Sequence, residues 1–163
     1  MGLGFHKEND DNFIIPKQHK FVRGNHDNPE VCRKQPNYLG DFGLTPEGYF
    51  FISGGYSIDR YLRTEGVTWW RDEELDYMQF GQMIALYEKT KPEIVVSHDC
   101  PESVTNIICN GRVIKNRTGS ALHEAFLRHH PKIWLFGHYH KNYDFEFNGT
   151  RFICLAELAY INL

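Results

Sequence analysis

The residues with the most chemical potential lie at three places where an apolar run gives way to a loop. Ile133-Trp134-Leu135-Phe136 runs into Gly137-His138-Tyr139-His140, Ile94-Val95-Val96-Ser97 into His98-Asp99, and Phe21-Val22-Arg23 into Gly24-Asn25-His26-Asp27. Short apolar runs of this kind read as buried strands, so the imidazoles stand at strand ends. Glycine at such a junction lets the backbone turn sharply or approach a ligand closely. Asn25, His98, His138 and His140 offer one amide oxygen and three imidazoles. That donor set suits Zn, Mn, Fe, Co or Ni better than Ca or Mg. His138 and His140, separated by a single residue, can point at two neighbouring metals. Two ions about 3.5–4 Å apart can clamp a phosphate, activate a water and stabilise the transition state of its attack. Such a centre also needs carboxylates to bridge the ions and balance their charge. His26, next to the Asn, is then the candidate acid that protonates a leaving alkoxide.

These residues need a compact frame to hold them. The chain has 163 residues, enough for one domain over 1–163 that buries roughly 70% of its unfolded surface. With 41% hydrophobic and 15% aromatic residues, it is not a disordered chain, and its core should be rich in Phe, Tyr and Trp. A net charge of −3 argues against a generally basic surface for nucleic acid. A metal-bearing cleft can still attract a phosphodiester locally, so nucleic acid is not excluded. Cys32, Cys100, Cys109 and Cys154 form no CxxC pair, and the N-terminus has no cationic segment leading into an apolar stretch. They read as reduced thiols of a cytoplasmic protein. No apolar run approaches the ~20 residues that cross a bilayer, so no membrane association is expected.

Along the chain, Met1 to Gln18 is polar and irregular, and His19 to Arg23 is a short strand. Glu30 to Glu47 is rich in turn formers and reads as a surface excursion. Tyr49-Phe50-Phe51-Ile52 is a buried strand ending at Ser53-Gly54-Gly55. Tyr56 to Trp70 carries Asp59, Arg60 and Arg63; it is either a solvated loop with an aromatic anchor or a segment passing over the active face. Asp72 to Lys89 has helical spacing, with Leu75, Met78, Phe80, Met83, Ile84 and Tyr87 inward and the acidic start suited to the helix dipole. After the strand Ile94 to Ser97, Asp99 to Arg117 reads as a long irregular loop. Ser120 to His130 is a second helix, with His123, His129 and His130 at its surface or end. Tyr143, Phe145 and Phe147 alternate with Asp144 and Glu146, and Asn148-Gly149 turns the chain into Arg151 to Leu155 as a hairpin. Helices feeding short apolar strands give the rhythm of a parallel or mixed sheet.

Gly-Asn-His-Asp, then a strand-ending His, then Gly-His-x-His, in this order, resembles the calcineurin-like metallophosphoesterases from about His19 to Leu155. The resemblance implies an α/β fold, a sandwich of two mixed β-sheets flanked by helices. It also implies that Asn25, His98 and His138 bind the second of two divalent transition metals and that His140 binds the first. His26 then contacts the substrate phosphate and assists the leaving group, with Asp27 as its orienting partner. The family's earlier Asp-x-His and Gly-Asp-x-x-Asp patterns have no match. His6, Asp10, Asp11 and His19, upstream of Gly24, lack the required spacing. The chain is therefore expected to lack the fold's N-terminal strands.

The function implied is hydrolysis of a phosphomonoester or phosphodiester by metal-activated water, reduced by the missing ligands, with one metal or none in place of two. The alternative is a non-catalytic remnant that binds metal or a partner. Its sheet edge would accept a second copy of the chain or a complementing N-terminal fragment.

Overall fold

A computed structural model describes residues 18–163; Met1 to Lys17, with His6, Asp10 and Asp11, lie outside the described residues. The elements run α1 (Pro29–Arg33), β1 (Phe42–Leu44), β2 (Tyr49–Ile52), a 3₁₀ turn (Arg60–Leu62), α2 (Tyr77–Thr90), β3 (Ile94–Ser97), α3 (Glu102–Ile108), α4 (Arg117–Arg128), β4 (Ile133–Phe136), β5 (Tyr143–Phe147) and β6 (Thr150–Cys154). Among the described residues the strands build one six-stranded mixed sheet in the order β1-β2-β3-β4-β6-β5. The mixed α/β class expected from the sequence is what forms. β2, β3, β4 and β6 are parallel neighbours, while β1 and β5 pair antiparallel at the two edges.

One face of the sheet carries the core. Phe50, Ile52, Val95, Trp134, Phe136, Phe152 and Cys154 pack against Phe80, Met83 and Tyr87 of α2 and Leu122, Ala125 and Phe126 of α4. Trp134 is fully buried, and its indole N–H donates to Ser97 Oγ at 2.8 Å, so the ring adds apolar contact without leaving a buried donor unpaired. On the opposite face Ile94 and Val96 of β3 are half-buried, and the C-terminal residues Ile161 and Leu163 line a cavity with them and with Tyr49.

Several element boundaries differ from the sequence expectation. Regular pairing does not span His19 to Arg23: Phe21 makes a single parallel bridge to Tyr38. The excursion from Glu30 to Glu47 contains most of α1, which opens on Pro29, and all of β1. Helix α2 starts at Tyr77, not Asp72, because Asp76 and Gln79 form a capping box, with Gln79 N donating to Asp76 Oδ1 at 2.8 Å and Asp76 N donating to Gln79 Oε1 at 3.0 Å. Leu75 is buried but precedes the helix, and Met78 is exposed. The stretch from Asp99 to Arg117 holds α3, and α4 begins at Arg117 because Asn116 caps it, accepting from Gly119 N at 2.7 Å. The hairpin of β5 and β6 forms where its alternation and Asn148-Gly149 place it.

Candidate functional site

The site lies beyond the carboxyl ends of the parallel strands, where open α/β sheets place their ligands. Backbone pairing continues past the strands and ties the loops together. His98 N donates to Ile52 O at 3.2 Å, Gly137 N to His98 O at 3.0 Å, Leu155 N to Phe136 O at 2.9 Å, and Gly54 N to Arg23 O at 2.8 Å. The three junctions singled out from the sequence are thereby fixed side by side.

Asn25, His98 and His138 converge. His98 Nε2 lies 2.9 Å from Asn25 Oδ1 and 3.1 Å from His138 Nδ1. Asn25 and His98 are buried and His138 is half-buried. Burial, reinforced by His138, holds the His98 imidazole well below its ordinary pKa, so it stays neutral and keeps a lone pair. Gly24 permits this packing: a Cβ there would sit 2.7 Å from His98 Cε1. Gly55 makes a similar approach from the other side, where a Cβ would meet His98 Cδ2 at 3.0 Å.

His138 and His140 both have left-handed backbone, with φ of 69° and 55°. Non-glycine residues in that region are uncommon and persist where their surroundings hold them. Tyr139, between them, supplies the hold: its hydroxyl donates to Asp99 Oδ1 at 2.8 Å and lies 2.8 Å from Thr105 Oγ1. Asp99 is buried and also accepts from Cys100 N at 2.8 Å, so the His98 and His138 loops share one anchor. His140 is exposed, and its Nδ1 lies 2.6 Å from Glu157 Oε1. Asp27 is buried and closes its loop by accepting from Gly24 N at 2.7 Å.

His26 is half-buried, with Nε2 3.0 Å from Arg63 Nη2. A guanidinium only donates, so this nitrogen accepts and the neutral ring carries its proton on Nδ1. Burial first, then Arg63, lowers the His26 pKa.

Two supporting residues were missed in the sequence. Glu73 is buried, accepts from Ser57 N at 3.0 Å and from Ser57 Oγ at 2.6 Å, and Ser57 Oγ in turn accepts from Asn25 Nδ2 at 2.9 Å. This chain fixes the amide so that Oδ1 faces the histidines. Glu74 accepts from Thr118 N at 2.9 Å at the start of α4, where the helix dipole favours a carboxylate. In sequence Asp72-Glu73-Glu74 reads as the acidic start of a helix, suited to its dipole, and no sequence signal separates that case from this one. His123 Nδ1 lies 3.1 Å from Ser103 Oγ, His129 Nε2 lies 2.9 Å from Pro92 O, and His130 stacks on Phe126.

Among the described residues no three His, Cys, Asp or Glu side chains converge as a metal site; the cluster is two imidazoles and an amide oxygen. It nevertheless fits a cation. An imidazole nitrogen carries one proton at most, yet His98 Nε2 is within bonding reach of both the Asn25 oxygen and His138 Nδ1. A cation would satisfy all three atoms at once. All four cysteines are free thiols, and among the described residues no helix is long and apolar enough to cross a membrane. The sequence model of the calcineurin-like phosphoesterases matches residues 5–142. Comparison with curated proteins gives no match.

Proposed function

The chain belongs to the calcineurin-like phosphoesterase family, and on that premise we propose that it hydrolyses a phosphomonoester or phosphodiester with a divalent transition metal held by Asn25, His98 and His138. The convergence of these three donors, 2.9 and 3.1 Å apart, carries the reading. The family generally binds divalent metals, and one amide oxygen with two imidazoles suits Mn, Fe, Zn, Co or Ni. When bound, such an ion supplies a water of lowered pKa and neutralises charge on the phosphate.

The protein's own residues do the rest. Burial keeps the His98 lone pair available, and Glu73 acts through Ser57 to keep the Asn25 oxygen turned inward. Tyr139 holds the His138 loop against Asp99. His26 is the proposed contact for the leaving group, with Asp27 closing the turn that presents it. His140, paired with Glu157 at the rim, is the proposed point at which a further ion is held.

A second reading, a non-catalytic metal-binding or partner-binding module, draws on one observation. Among the described residues no carboxylate joins the two imidazoles, so a bound ion's charge is poorly balanced there. Hydrolysis of p-nitrophenyl phosphate and bis-p-nitrophenyl phosphate with added Mn²⁺ separates the two. The enzyme reading predicts turnover that falls by about a hundredfold or more in Asn25→Ala. Metal binding without turnover in the wild type would establish the module instead.

A further inference from the structure

The segment following Gly55 is attached to the metal-ligand cluster and ends in a fixed cation. Gly55 packs on His98 and His138, and Ser57 bonds Asn25. The chain then delivers Asp59 and Arg63 beside His26. Asp59 grips the Arg63 guanidinium through both oxygens, with Nε to Oδ1 at 2.8 Å and Nη2 to Oδ2 at 2.7 Å, and Arg63 Nη1 donates to Thr68 O at 3.1 Å. The remaining contact, from Nη2 to His26 Nε2 at 3.0 Å, points toward the site. The Arg63 side chain is 18% exposed, so an incoming ligand can reach it.

We propose that Arg63 is a substrate-binding residue that takes a terminal oxygen of a phosphomonoester, and that it sets a preference for monoesters over diesters. This rests on the phosphoesterase reading above. The acceptor Arg63 now uses is a neutral imidazole nitrogen. A phosphate oxygen is a stronger acceptor for a guanidinium, because the bond is charge-assisted on both sides, so an anion entering beside His26 draws the Nη2–H to itself. The Asp59 fork fixes the guanidinium beforehand, so little side-chain freedom is lost when the anion binds. The metal-ligand cluster is an amide and two imidazoles with no carboxylate among them, and Arg63 adds a permanent positive charge beside it. A monoester dianion has one more terminal oxygen and one more charge than a diester. That extra terminal oxygen is the acceptor a monoester would offer Arg63 beyond those a diester has.

Steady-state kinetics on p-nitrophenyl phosphate and bis-p-nitrophenyl phosphate, for wild type, Arg63→Gln and Arg63→Lys, test the assignment. The expected result is a KM for the monoester raised about tenfold or more in Arg63→Gln, a much smaller change for the diester, and partial recovery in Arg63→Lys. Equal changes for both substrates, or none, overturn it. Calorimetric binding of inorganic phosphate gives a readout that does not need turnover. Phosphate should bind the wild type and bind Arg63→Gln about tenfold more weakly or worse; equal affinity, or no binding to the wild type, overturns the assignment. Absence of hydrolysis in the wild type, with phosphate binding still dependent on Arg63, would sink the phosphoesterase reading and leave Arg63 as an anion contact.

Discussion

Glu73 influences the site without touching it. Its carboxylate takes both the N–H and the hydroxyl of Ser57, and that hydroxyl fixes the Asn25 amide. Outer partners of this kind commonly change metal affinity by about 10- to 100-fold when removed, and a loss in that range is expected for Glu73→Gln in a metal titration. The same residue makes a pH prediction. Burial raises the Glu73 pKa, so the folded protein keeps its proton to higher pH than the unfolded chain does. The stability this contributes is fully present below the unfolded value, about 4.3, and is lost as the pH rises through the raised folded value. Denaturant midpoints measured across that window should fall less steeply in Glu73→Gln than in wild type. An identical pH dependence would show that Glu73 does not titrate as its burial requires.

The junctions between strands and loops are the elements that matter most, and Gly24 tests them. Its Cβ position falls within 2.7 Å of the buried His98 ring, so Gly24→Ala must move that ring or the loop. The expected outcome is metal affinity reduced by about tenfold or more, seen by titrating the variant with Mn²⁺; unchanged affinity would mean the loop yields at no expense to His98. At this scale much of the architecture was legible in the sequence. Ile94 to Ser97 and Ile133 to Phe136 are apolar runs bounded by turn signals, and the register of β5 and β6 follows from Asn148-Gly149. Helix boundaries were less legible because side chains distant in sequence decide them. Glu74 looks like the start of α2, yet it bonds Thr118 at the start of α4. Helix α3 follows Pro101 and buries one side chain, Val104, too little apolar periodicity to stand out. The convergence of Asn25, His98 and His138 could be anticipated from strand-end positions, whereas the Glu73–Ser57 support and the Arg63 contact with His26 arise from loops whose paths no local pattern encodes.

For the whole molecule, the sheet serves as a platform whose helix-covered face provides the core and whose carboxyl ends carry the candidate site. The loops after Arg23, Ile52, Ser97 and Phe136 are joined by backbone hydrogen bonds, so the site is assembled from segments far apart in sequence and exists only in the folded chain. A metal held there binds the native state and not the unfolded one, and so couples site occupancy to global stability. The most direct measurement is the metal content of the purified protein beside that of His138→Ala, a half-buried position whose truncation the fold should tolerate, with hydrolysis assayed on the same samples. The account predicts that the variant loses one equivalent of transition metal relative to wild type and loses phosphoester hydrolysis with it. A His138→Ala protein that retains the wild-type metal content and turnover would contradict it.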